Sequence, residues 1–84
     1  MREDLVTLLV GKEEIRDIVR NNVKNGYSKG SAIEQICIHL YEEVEDEVLP
    51  LAVLWCIITK DSEYYKVSEK VYDRIYHELY EVKR

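Results

Sequence analysis

The stretch Val48–Thr59, VLPLAVLWCIIT, decides how this chain is read. It holds no charge, one proline and the only tryptophan, and its neighbours are strongly charged. Twelve residues are too few to cross a bilayer, which takes about 20 apolar residues as a helix. The β-branched and aromatic content of VLWCII suits a strand. A strand needs a partner strand, however, and no other segment offers one. Proline fits the first turn of a helix, so the pattern predicts a helix over 50–60. Leu51, Leu54, Trp55 and Ile58 fall on one side of it, and Val53, Cys56 and Ile57 on the other. A helix that is apolar all round is buried all round. This one is therefore expected at the centre of the fold, and Val53, Cys56 and Ile57 are the candidate residues for self-association.

Working outward, the segment before Pro50 reads as the clearest helix. Ile33, Ile36, Cys37, Leu40, Tyr41, Val44 and Val48 recur at helical spacing. SAIE, Ser31 to Glu34, has the form of a capping box, which predicts a helix over 32–48 capped by Ser31. KNGYSKGS, Lys24 to Ser31, is the break before it. Upstream, Ile15, Ile18, Val19 and Val23 predict a helix over 12–24. Leu5, Leu8 and Leu9 predict a shorter one over 2–10. A kink is expected at Gly11, because Lys12 would sit on the apolar face of one straight helix. Beyond Asp61 and Ser62, Tyr64, Val67, Val71, Ile75, Leu79 and Val82 predict a helix over 63–82. The fold class expected is all-α: one domain over 1–84, a small bundle of about four helices.

At 84 residues such a domain buries only roughly 60–65% of the surface of its unfolded chain. It is marginal alone, and a partner or a second copy would add to its stability. The net charge is −5, and the segment 32–50, with six acidic and no basic groups, sets the sign. A dedicated nucleic-acid surface is basic, so none is expected, nor is insertion into a membrane. Cys37 and Cys56 lie in apolar contexts, where cysteine acts as a small hydrophobe. The N-terminal MREDLVTLLVGKEE has too short an apolar run for a signal peptide. Both features point to the cytoplasm.

Chemistry-bearing motifs are missing. No phosphate-cradling loop, nucleophile elbow or paired-histidine motif is present, so no catalytic residue, cofactor or enzyme activity is expected. No metal site is expected either, since Cys37 and His39 stand two apart on a helix and face nearly opposite ways.

Two features suit a protein partner. Tyr65, Tyr72, Tyr76 and Tyr80 fall beside and behind the apolar face of the last helix, the last three along one i, i+4 ridge. Tyrosine combines contact area with a polar tip. The second feature is the acidic run Glu42, Glu43, Glu45, Asp46 and Glu47. It opposes the dipole at its helix C-terminus and would steer a basic partner. The expected function is a small protein–protein interaction module acting as an inhibitor, adaptor or regulatory subunit. Phage- or plasmid-type accessory proteins offer an analogy of size and class only. One alternative is a homodimer formed through helix 50–60. A second is a helix-turn-helix-like transcriptional regulator starting at SAIEQICIHL, although the segments that follow are acidic and apolar rather than basic.

Overall fold

A computed structural model describes residues 2–45, 50 and 63–81. Among them are four α-helices: α1 (Arg2–Val10), α2 (Glu13–Asn25), α3 (Lys29–Glu45) and α4 (Glu63–Tyr76), the last running into a π-helical turn over His77–Glu81. The fold is a small all-α bundle. Apart from Pro50, the expected central helix lies outside the described residues. So do Asp46, Glu47, Val48 and Val82.

The break between α1 and α2 falls where expected. Gly11 N–H donates to the Thr7 carbonyl (3.2 Å) and Lys12 N–H to that of Leu9 (3.1 Å), closing α1. Lys12 is extended, at φ −80° and ψ 128°. Its side chain therefore leaves the core and pairs with Glu43 on α3 at 2.6 Å. Glu13 and Glu14 occupy the first turn of α2 and Lys24 its last, both favourable to the helix dipole.

Between α2 and α3 the chain reverses in very few residues. Gly26 takes the left-handed conformation at φ 74°. Its N–H reaches the Val23 carbonyl at 3.3 Å, and the Tyr27 N–H reaches that of Asn22 at 3.1 Å. This pair of bonds is the Schellman arrangement, which closes a helix C-terminus with glycine in the left-handed position. Asn22 is buried, and its side-chain amide donates to the Ser28 carbonyl at 3.1 Å.

The start of α3 corrects the sequence reading. The helix begins at Lys29, three residues before the expected start at 32, and Ser31 lies inside its first turn. Ser28 does the capping: the Ser31 N–H approaches the Ser28 hydroxyl at 3.3 Å and the Ser28 carbonyl at 3.1 Å. Two serines three apart offer the same cap chemistry. The Asn22 amide fixes the earlier one, and no local pattern could reveal that.

Packing follows the hydrophobic stripes, with small rotations. The core joins Val6, Leu9 and Val10 of α1 to Ile15 and Val19 of α2, Ala32, Ile33, Ile36, Cys37, Leu40 and Tyr41 of α3, and Val67, Val71, Tyr72 and Ile75 of α4. Full burial of one such aliphatic side chain is worth about 1.5–3 kcal/mol. Leu8, Val23 and Val44, expected on apolar faces, are exposed instead. On α2 the buried stripe turns toward Asn22. α3 and α4 run antiparallel: Lys29 meets Asp73 at one end, and the Tyr41 and Tyr64 rings meet edge to face at 5.5 Å at the other.

Candidate interaction surface

The tyrosines of α4 are placed by helical geometry. Tyr72, Tyr76 and Tyr80 follow one another at four-residue spacing, which puts them in neighbouring turns of one face. Their rings form a staircase. Tyr72 stacks on Tyr76 at 5.8 Å with an 18° interplanar angle, and Tyr76 meets Tyr80 at 5.1 Å and 47°. Exposure rises along it, from 7% at Tyr72, through half-buried Tyr76, to 46% at Tyr80. Tyr72 is therefore a correction: it was expected beside and behind the apolar face and belongs to the core. The early start of α3 puts Lys29 alongside its ring. Tyr65 stands two turns before Tyr72, half-buried against the core.

Lys29 was not singled out in the sequence, and it organises the inner end of the staircase. Its Nζ lies 5.6 Å from the centre of the Tyr72 ring, over the face, the arrangement that attracts a cation to an aromatic quadrupole. The same ammonium is 3.0 Å from Asp73 Oδ1 and 4.0 Å from Glu69 Oε2. The Asp73 contact holds its pKa above the ordinary lysine value, against the opposing effect of burial. Burial first, and then Tyr76 nearby, pushes the Tyr72 hydroxyl above the usual phenol range. Next to these groups a shallow hollow of about 340 Å³ is lined by Lys29, Tyr72, Asp73, Tyr76 and Glu81. The signal that could have exposed this site was the i, i+4 pair Glu69 and Asp73 flanking Tyr72.

The acidic run is elsewhere. Glu42 and Glu43 sit near the C-terminal end of α3, roughly 20 Å along the helix axis from Lys29 at a 1.5 Å rise per residue. Glu43 is committed to Lys12 at 2.6 Å. Both glutamates line a separate hollow of about 310 Å³ with Leu9, Lys12, Glu14 and His39. Glu45 ends α3, while Asp46, Glu47, Val53, Cys56 and Ile57 lie outside the described residues. The structure thus brings Tyr72, Tyr76 and Tyr80 together and separates them from Glu42 and Glu43.

Two buried polar groups face one another between α3 and α4. Burial pushes the Cys37 thiol up to about 11, and the adjacent Ser68 hydroxyl offsets part of that rise. The Ser68 oxygen is fully buried and lacks a hydrogen bond of good geometry. Among the described residues no cluster of three histidine, cysteine or acidic side chains could hold a metal ion. Among them, too, no helix is long and apolar enough to cross a membrane.

No protein-family model matches this chain, and comparison with curated proteins and with solved structures finds no match.

Proposed function

We propose that this chain is a small protein–protein interaction module, an inhibitor, adaptor or regulatory subunit, which engages its partner through the tyrosine staircase of α4. The observation that carries the reading is the graded exposure of three stacked rings, with Tyr72 anchored in the core and Tyr80 in solvent. An anchored stack presents large amphipathic area at little further cost in side-chain freedom, which is what partner-binding surfaces select. Glu42 and Glu43 are a secondary, steering element on this reading. The buried free thiol of Cys37 supports work in the reducing cytoplasm.

The test is affinity capture from a lysate of the native host, with mass spectrometry of the retained proteins. The wild type is compared with a Tyr76→Ala, Tyr80→Ala double variant. Tyr72 is left in place because it is buried. The double variant should keep its helical circular dichroism and lose the captured partner. An unchanged set of retained proteins would refute the reading.

A further inference from the structure

The staircase already holds one cation, and a hollow with carboxylates in its lining lies beside it. Lys29 covers the Tyr72 face from one side and is satisfied there by Asp73 and Glu69. The hollow continues outward past Tyr76 to Glu81. Counting Glu69 with the lining, three carboxylates among the described residues, one of them (Glu81) 3.4 Å from His77 Nδ1, stand beside the ammonium of Lys29, so these groups are net negative with Lys29 in place. The rings beside it are aromatic faces exposed in part to water.

We propose that this hollow receives an arginine side chain of a basic protein partner, the guanidinium lying against Tyr76 and bonding to Asp73 and Glu81. The proposal rests on the staircase being the partner-binding surface, and it names the chemistry of that partner. Arginine fits better than lysine for two reasons. A guanidinium is planar, so it stacks on a ring while its edge donates to carboxylates, and it is more weakly hydrated than an ammonium. The carboxylates also exclude the rival that stacked aromatics suggest. Single-stranded nucleic acid needs a positive groove to track its phosphates, and the described residues of this groove carry the opposite sign. The overall charge of −5 draws a basic partner from a distance.

The test uses the full chain, labelled with ¹⁵N, and three blocked pentapeptides: Gly-Arg-Gly-Arg-Gly and its lysine and glutamate counterparts. The arginine peptide should give saturable shifts centred on Lys29, Tyr72, Asp73, Tyr76 and Glu81, and the lysine peptide should bind several-fold more weakly. Asp73→Asn should weaken arginine binding about tenfold, as expected for loss of one charged hydrogen-bond partner. Lys29→Gln should strengthen it about two- to fivefold by releasing the carboxylates. Circular dichroism of both variants separates these effects from unfolding. The inference is overturned if the arginine peptide shifts nothing at millimolar concentration. It is equally overturned if shifts spread over every acidic patch, if Lys29→Gln weakens binding, or if the glutamate peptide or a thymidine oligonucleotide binds as well. Should the arginine peptide fail while the Tyr76→Ala, Tyr80→Ala variant still loses its captured protein, the interaction module stands and the arginine site falls.

Discussion

Lys29 and Asp73 are paired at 3.0 Å, and this contact ties the first turn of α3 to α4 at the point where the tyrosine staircase leaves the core. Both side chains are about half exposed, so the pair adds little to stability. Lys29→Gln should cost less than about 1 kcal/mol in urea unfolding, and the loss should shrink in high salt. A loss of several kcal/mol would show that Lys29 is structural rather than part of a surface site.

Ile75 is the sharper test of the core. It is fully buried, and Ile75→Ala should cost about 2–5 kcal/mol. A chain of this length carries on the order of 4–13 kcal/mol in total, so the variant should lose a large share of its stability and melt well below the wild type. Leu8→Ala, at an exposed position, should change stability by less than about 0.5 kcal/mol. Thermal melts of the two variants make the comparison.

The two turn glycines should separate cleanly. A Cβ at Gly26 would touch nothing within 4 Å, but the left-handed backbone there costs a non-glycine residue about 1–2 kcal/mol. At Gly11 the nearest atoms to an added Cβ are 3.6 and 3.7 Å away, and its φ is not in the left-handed range. Gly26→Ala should therefore destabilise, and Gly11→Ala should be neutral or slightly stabilising. Equal losses would contradict the observed turn.

The fold class and the four described helices could be read from hydrophobic period alone, because Ile33, Ile36, Cys37 and Leu40, or Val67, Val71 and Ile75, repeat so regularly. The break at Gly11 was equally legible from the misplaced charge of Lys12. What escaped was set by contacts between segments. Ser28 rather than Ser31 caps α3 because Asn22, on another helix, fastens the Ser28 carbonyl. Tyr72 belongs to the core and carries Lys29 over its ring, and those residues are far apart in sequence. The tyrosine ridge and the neighbouring Glu69 and Asp73 were visible as spacings, whereas the Lys29 cation that joins them was not.

Cys37 makes stability fall at alkaline pH. In the unfolded chain the thiol ionises near 9.0, whereas in the fold it holds its proton to about 11. Below pH 9 both states are protonated and this stabilisation is fully present. Between pH 9 and 11 the unfolded state alone loses the proton, so stability declines by about 2–3 kcal/mol. Cys37→Ala should flatten that part of a urea-unfolding pH profile. Iodoacetamide should modify Cys37 in the native protein only slowly, as read by mass spectrometry of the peptide that carries it.

Ser68 offers a gain. Its buried hydroxyl lacks a well-formed hydrogen bond, and leaving such a group unsatisfied costs about 1–3 kcal/mol. Ser68→Ala should raise the melting temperature. A drop would mean that the hydroxyl is held by the Cys37 thiol more firmly than its geometry indicates.

The π turn at His77–Glu81 bears on how the chain tolerates changes of length. A π turn is an α-helix that has absorbed one additional residue. Loss of one residue there, His77 for instance, would let ordinary helix geometry resume while the residues beyond keep their headings. The spacings from Ile75 to Leu79 and from Tyr76 to Tyr80 would shorten from four to three, and residues three apart are still neighbours on a helix. The same deletion earlier in α4, at Lys66, would turn every later side chain by about 100° and pull Val71, Ile75 and the whole staircase out of place. The helix thus has a rigid reading frame up to Tyr76 and a forgiving one after it.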